Sequence, residues 1–434
     1  MAGAIAEPGP PRDDPARAKA PTAWRAIGLD PRGPRAKMAR MDDSTDIVIV
    51  GGGVMGSATA FFLLSDPAFA GRVVVVEKDP SYRFASSALS ASSIRQQFST
   101  PLNIALSLFG IAFLRDVERH LALPGEPLSI GLREPGYLIM ATDANAALLR
   151  HNVALQRAHG ADTTVLTPDE IRRRFPWITT DGVAAAGFGL TGEGSFDGPA
   201  LMQAFRRKAI SLGARYLTAE VVDIETAPGR IAGVRLADGG RVACGEMVLA
   251  AGPGSGAVAA LAGVALPVRP RKRSVFVFRS PATLPGCPLV IDTNGVWVRP
   301  EGDGFLAGVS PPDHEDPDAD PRDFEIDHRF FDDPIWPTIA ARIPAFETLK
   351  LTGGWAGHYE YNTLDHNAVI GPHPEIANLH FVTGFSGHGM QQAAAAGRAV
   401  AERLVHGRYL TIDASLFGYE RIRDRRPVRE LNVI

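Results

Sequence analysis

The sequence predicts an α/β protein in which a parallel, nucleotide-binding sheet is interrupted along the chain by a second, antiparallel layer. Three observations carry that expectation. Residues 46–78 read as strand, glycine turn, helix and second strand; a further strand ending in a glycine turn returns about 150 residues later; and from Leu266 the pattern changes to short alternating strands separated by turns.

The first unit is the most informative. The apolar run Ile47, Val48, Ile49, Val50 stops at Gly51, and Gly51, Gly53 and Gly56 stand at GxGxxG spacing before a helix-compatible segment that opens with Val54 and Met55. A second β-branched run, Val73 to Val76, closes with Glu77 and Lys78, and Glu77 lies 21 residues past Gly56, where a ribose-binding acid is expected. This is the order of a Rossmann-like unit that binds a dinucleotide. The first glycine allows the turn, the second lets backbone approach a pyrophosphate, and the third lets helix and strand pack closely. The helix N-terminus then offers free N–H groups and a positive dipole end. FAD and NAD share the fingerprint, so the cofactor must be identified from other residues.

At 434 residues and 46.3 kDa the chain exceeds one ordinary core, which predicts two domains. A net charge of −3 and a pI near 6.4 give no reason to expect a nucleic-acid partner. Two isolated cysteines, Cys244 and Cys287, suit a reducing compartment, hence a cytoplasmic protein, and offer no metal site. The uncharged stretch 247–266 is long enough to raise a membrane question, but Pro253 and its glycines break it into strand, turn and small-residue helix, so no transmembrane span is expected. Residues 1–45 are rich in Pro, Ala, Gly and Arg without apolar period and read as a disordered prefix. Two alternatives stand beside that: an Arg-rich transit peptide, opposed by Glu7, Asp13, Asp14 and Asp30, and an internal start at Met38 or Met41.

Residues 80–100 form a serine-rich loop that contains Ser87, Arg95, Gln96 and Phe98 and suits a cofactor-facing position. A single amphipathic helix is expected over 102–121, a strand over 134–141, and helices over 145–159 and from Thr167, Pro168 and Asp169. A helix over 199–213 precedes strands at 214–224 and 233–236, a turn at Gly239 and Gly240, and a strand over 241–251 that leads into Ala251 and Gly252. Strands at 271–278, 294–300 and 304–310 suggest an antiparallel sheet, the acidic stretch 313–320 a solvated connection, and 334–342 a helix. Residues 380–405 repeat the opening logic of strand, glycine loop and helix, with Gly384, Gly387 and Gly389 in the loop.

Taken together, DIVIVGGGVMG, VVVVEK, the serine loop ending in Arg95, VLAAGPGSG and TGFSGHGMQQAAAAG resemble, in that order, the D-amino-acid oxidase and sarcosine oxidase (DAO) family of FAD enzymes, over residues 46–409. Within it, SIRQQFS, LPVRPRKRSVFVF, PAFETLK and WAGHYEYNT are similar to a mitochondrial branch linked to respiratory complex I assembly, and more distantly to dimethylglycine and sarcosine dehydrogenases and a D-arginine dehydrogenase. The resemblance implies a glutathione-reductase-like FAD domain (46–132, 196–265 and 351–434 with its C-terminal tail) and a discontinuous antiparallel-sheet substrate domain (133–195 and 266–350). It implies FAD contacts from Gly51, Gly53, Val54, Met55, Gly56, Glu77 and Lys78, from Ser87, Arg95 and Gln96, from Val221 through its backbone, and from Ala251 and Gly252. Gly384, Gly387, His388, Gly389 and Met390 would face the flavin, where a helix dipole favours the negative charge of reduction.

Departures from the family carry chemistry of their own. No cysteine stands at Gly357 or His358, where monomeric sarcosine oxidases tether the cofactor, so the expected FAD is noncovalent, with the His358 side chain as the alternative tether. Tyr359 occupies the position of a substrate-clamping arginine in glycine and D-amino-acid enzymes and is tyrosine in methylated-glycine dehydrogenases, which points to a secondary or tertiary amine. Leu306 and Gln391 replace lysines that promote oxygen reactivity and bind substrate, which favours a dehydrogenase over an oxidase. The expected reaction is hydride transfer from the C–H beside a neutral amine nitrogen to flavin N5, within about 3 to 3.5 Å, followed by hydrolysis of the iminium. Arg271 and Arg273, on one face of a strand, are the expected carboxylate anchors, with a solvated basic run as the alternative. Phe98, Trp297 and Tyr359 are expected walls of an apolar box, and His388 a group that polarises the ring. Partners are thus a small amine substrate and an electron acceptor: quinone, electron-transfer flavoprotein or oxygen. The alternatives are a D-amino-acid dehydrogenase or oxidase, and a low-turnover flavoprotein that serves as an assembly or interaction factor.

Overall fold

In the first sheet, buried β-branched strands lie side by side because both faces are covered. The computed structural model describes residues 42–431. Asp42–Val50 runs parallel to Arg241–Leu249 on one side and to Val73–Glu77 on the other, with Val48 opposite both Met247 and Val74. The order across the sheet is Val369–Pro372, Leu379–Thr383, Arg241–Leu249, Asp42–Val50, Val73–Glu77, Arg215–Thr218; Arg230–Leu236 and Val221–Ala227 extend it antiparallel from Arg241–Leu249. Alternation sorts the side chains. Ile47 and Ile49 enter a core with the helices Val54–Ser65, Pro101–Arg115, Gly198–Ser211 and Gly389–His406, whereas Val48 and Val50 pack with Val221, Ile224 and Ala259 on the opposite face.

The strand starts at Asp42, four residues inside the expected prefix, because Thr45 pairs in register with Cys244 and its hydroxyl donates to the Arg72 carbonyl at 2.8 Å. The remainder of the expected disordered prefix lies outside the described residues. The single helix expected over 102–121 is two, Pro101–Arg115 and Val117–Leu121, since Asp116 leaves helical geometry at φ −106°, ψ 20°. Residues 247–266 are a strand end, a short turn and the helix Ser255–Leu261, and among the described residues no helix is long and apolar enough to cross a membrane.

The second sheet runs Lys350–Asn362, Val268–Arg279, Gly304–Gly308, Trp297–Glu301, Leu289–Ile291, Tyr137–Ala141, Ala185–Gly189, Thr163–Leu166. It is not wholly antiparallel: Leu289–Ile291 lies parallel to Tyr137–Ala141. Its edge strand carries a second correction. Lys350–Asn362 pairs with Val268–Arg279 from Lys350 opposite Arg279 to Asn362 opposite Val268, so the chain stays in this sheet past the boundary expected at residue 350. Two-residue strands at Ser93–Ile94 and Gly194–Ser195 tie the serine-rich loop to the chain that leaves this sheet.

Candidate active site

Two helix starts and one loop define the site. At the first start, Gly51 has φ +102°, a conformation that favours glycine, and a Cβ there would overlap the Ala250 carbonyl. The turn of the first strand therefore lies against Ala250 and Ala251, and Gly252 follows at φ +55°. A Cβ on Gly56 would overlap the Gly51 carbonyl, which is the close helix-to-strand approach expected of a third glycine. The helix Val54–Ser65 has no cap of its own; the buried Ser87 hydroxyl accepts from the Val54 N–H at 3.0 Å. Glu77, at the end of the neighbouring strand, accepts from the Gly52 N–H at 2.8 Å and the Asp79 N–H at 2.9 Å, so its carboxylate is fixed beside the glycine turn. This cradle of bare backbone, helix end and acid fits a dinucleotide. Lys78 is exposed, and Val221 is buried at the head of its strand.

At the second start, Gly384 and Gly387 take φ +79° and +99°, and a Cβ on Gly387 would overlap the Tyr359 ring. Gly389 opens the helix Gly389–His406, tight against Met55 and Phe385, and His388 is its N-cap residue without capping through its side chain. Farther along, Gly397 lets this helix meet the first at Ala58 and Thr59.

Between them lies the Arg95 loop. Arg95 is 4% exposed, its guanidinium carbon sits 3.9 Å from the Phe98 ring centroid, and one nitrogen donates to the Gln97 carbonyl. Its backbone N–H donates to the Gln391 side-chain oxygen at 2.8 Å, so Gln391 fixes the arginine's backbone. Below the loop, Glu193, fully buried, accepts from the Gln96 N–H at 2.7 Å, the Gln97 N–H at 3.2 Å and the Gln97 amide at 2.8 Å. Burial pushes this carboxyl up to about 7 against those hydrogen bonds. The Gln96 side chain turns to the Gly192 carbonyl at 2.6 Å.

Arg95, Tyr137, Leu289, Trp297, Tyr359, His388 and Gln391 line one cavity, together with Ser90 to Ser93 and residues 386–390 of the second glycine loop. Among the described residues, Arg95 is its one arginine or lysine. His388, 4% exposed, stays neutral because burial and the neighbouring Arg95 both oppose a second positive charge, and its Nε2 has no partner. Burial also pushes the Tyr137 hydroxyl up to about 12 and raises that of Tyr359. The cavity thus combines a permanent cation, neutral polar groups and aromatic walls. Phe98 does not line it; it supports Arg95 from beneath and meets the His388 ring edge-on at 5.3 Å.

The expected anchors are placed otherwise. Arg273 is bound by both Asp316 oxygens, at 2.8 and 2.7 Å, and Arg271 pairs with Asp316 and Asp318. Asp316 is 7% exposed, so the acidic stretch is not simply a solvated connection: one of its carboxylates enters the sheet to neutralise the strand's arginines. Neither guanidinium reaches the aromatic cavity, although that of Arg273 lies 5.2 Å from the Tyr359 ring centroid. His358 alternates away from Tyr359; its Nε2 meets the Asp323 carbonyl at 2.8 Å and its ring packs on Phe324. Sequence reasoning missed Glu193, Tyr137 and Glu360, whose carboxylate accepts from Thr383 at 2.9 Å and the Gly384 N–H at 3.1 Å and is pushed up to about 7 by burial. No local pattern marks these three, since each gains its place from partners distant in sequence.

A family model described as DAO, FAD dependent oxidoreductase, matches residues 46–403. The sequence is 43% identical to the FAD-dependent oxidoreductase domain-containing protein 1 of Xenopus laevis, over 90% of this chain and 85% of that protein. Among solved structures, glycine oxidase from Geobacillus kaustophilus is 26% identical with a TM-score of 0.74, covering 86% of this chain and 98% of its own. The L-proline dehydrogenase of P. horikoshii shares the fold at 24% identity and a TM-score of 0.76, covering 88% of this chain and 99% of its own.

Proposed function

The chain belongs to the DAO family of FAD-dependent oxidoreductases, and on that premise we propose that it oxidises the C–H bond beside the nitrogen of an amino acid or N-methyl amino acid. The observation that carries this reading is the pairing of Arg95, the cavity's permanent cation, with a His388 held neutral beside it. A carboxylate docks on Arg95, which places the amine among Tyr359, Trp297 and Tyr137. Those walls exclude water, and the neutral surroundings favour the uncharged amine, the form that can lose a hydride.

FAD supplies the hydride acceptor when bound. Gly51, Gly53, Val54, Met55 and Gly56 would hold its pyrophosphate, with Ala251 and Gly252 alongside, Glu77 its ribose, and Val221 its adenine edge. Ser87 steadies the helix end that faces the phosphates, and Gly384 and Gly387 to Met390 would border the ring. The binding is noncovalent in this reading, because His358 faces Asp323 and Phe324 rather than the cavity.

We favour a dehydrogenase that passes electrons to a quinone or flavoprotein carrier: Leu306 is buried and Gln391 is committed to Arg95, so neither supplies the cation that assists oxygen reduction. The test is anaerobic bleaching of the flavin by sarcosine, dimethylglycine, proline and D-amino acids. Reduction by a secondary or tertiary amine, with little peroxide on re-aeration, is the expected result. Rapid stoichiometric peroxide would instead mark an oxidase, and no reduction by any amine would favour a non-catalytic flavoprotein.

A further inference from the structure

Arg95 heads a loop whose backbone donors are received by two buried carboxylates from distant parts of the chain. Glu193 accepts at one oxygen from the Gln96 and Gln97 N–H groups, at 2.7 and 3.2 Å, and at the other from the Gln97 side-chain amide at 2.8 Å. Glu430 accepts at one oxygen from the Ser99 N–H and hydroxyl, each at 2.7 Å, and at the other from the Thr100 N–H and the Asn103 amide, each at 3.0 Å. Four of the five backbone N–H groups of residues 96–100 thus end on carboxylate. The fifth, that of Phe98, stays inside the loop, on the Gln96 carbonyl at 2.8 Å.

Each carboxylate is delivered by a fixed segment. Glu193 stands just before the short strand Gly194–Ser195, which pairs with Ser93–Ile94, and Gly189 leaves room for its carboxylate, since a Cβ there would overlap it. Glu430 is seated by the chain before it: Arg421 pairs with Asp365 at 2.7 Å, Asp365 accepts the Val428 N–H at 3.0 Å, and the Leu431 N–H donates to the Ser99 hydroxyl at 2.9 Å. The arginine depends on both. Burial disfavours its charge, and Glu430 and Glu193 stand with Tyr137 and Tyr359 among the groups that favour it. Its guanidinium donates to the carbonyl of Gln97, the residue whose N–H and side chain Glu193 holds.

We propose that Glu193 and Glu430 are positioning residues for the oxidation, clamping residues 96–100 from two sides so that the Arg95 guanidinium is held at the cavity for a substrate carboxylate. Through Glu430 the segment beyond residue 403, where the family match ends, serves the active site. The positioning role rests on the reading of Arg95 as the carboxylate dock; the clamp itself does not.

Two measurements on the FAD-loaded protein test this. Hydrogen exchange of the peptide 95–101 reads the clamp. In Glu430→Gln an NH2 must replace one of two oxygens that both face backbone N–H groups, so exchange there should be at least about tenfold faster than in wild type. Anaerobic flavin reduction by the best amine, at limiting concentration, reads the positioning. Glu430→Gln and Glu193→Gln should each slow it about tenfold in the wild-type background but less than about twofold in the Arg95→Ala background, because residues that act through one another are not additive. Ser99→Ala removes one donor hydroxyl only and should slow reduction about two- to threefold, which keeps the test open if Glu430→Gln does not hold FAD. Wild-type exchange in both Glu430→Gln and Ser99→Ala overturns the clamp. Faster exchange with reduction at the wild-type rate, or an equal loss in the Arg95→Ala background, overturns the positioning role. Should Arg95→Ala itself reduce at the wild-type rate, or no amine reduce the wild type, the docking reading falls and the positioning role with it, while faster exchange would leave the clamp standing.

Discussion

The two glycine-lined helix starts look alike in sequence and are held in different ways. The first is assembled largely locally: Gly51, Gly56, Glu77 and Ser87 all fall within 37 residues, and only the backbone at Ala250 and Ala251 reaches it from afar. The second is assembled from afar. Gly387 meets Tyr359, Gln391 grips Arg95 across 296 residues, and Glu430, in the tail, holds the Ser99 and Thr100 N–H groups just beyond the Arg95 loop. The first start depends chiefly on close backbone packing, the second chiefly on side chains brought from distant parts of the chain, charged ones among them.

The contrast breaks first at Gly56. Gly56→Val places a side chain against the Gly51 carbonyl, where only backbone can yield, and should cost about 3 kcal/mol of stability and all FAD binding. Thermal denaturation and flavin content of the purified variant check this. At the other start, Gly387→Ala meets a Tyr359 ring that can shift, but adopts φ +99°, so the expected cost is about 1 to 3 kcal/mol with FAD retained and amine-driven reduction slowed. Equal loss of FAD in both variants would erase the distinction.

That difference also explains what the sequence could reveal. The parallel strands, the glycine spacing and Glu77 are short-range patterns, so the nucleotide-binding unit is visible in residues 46–78 alone. Alternation correctly put Arg271 and Arg273 on one face, yet it has no means of showing that Asp316 returns from a loop to neutralise them. Glu193, Tyr137 and Glu430 are single polar residues in unremarkable surroundings until the fold gathers them around Arg95. Residues 351–362, expected in the FAD domain, pair instead with Val268–Arg279, because pairing partners are set by topology and not by local pattern.

A smaller effect sharpens the charge side of the comparison. Glu193 has its carboxyl raised from 4.5 to about 7, so the folded protein binds more protons than the unfolded chain between those values. Its contribution is present in full below pH 4.5 and is lost as pH rises through 7. Glu193→Gln should flatten the stability profile across that window, measured by denaturant unfolding at a series of pH values. The smallest effect is expected at Ser87→Ala, which removes the acceptor for the Val54 N–H and should cost about 1 kcal/mol, read as a few-fold weaker FAD affinity.

The account turns on Arg95 as the cation that orients the amine. The most direct measurement is the anaerobic rate of flavin reduction by the best amine of the panel in wild type and Arg95→Ala, both loaded with FAD. Loss of a buried charge-assisted contact predicts a rate lower by about 100-fold at limiting substrate, with the oxidised flavin spectrum retained. Reduction of Arg95→Ala at the wild-type rate would contradict it.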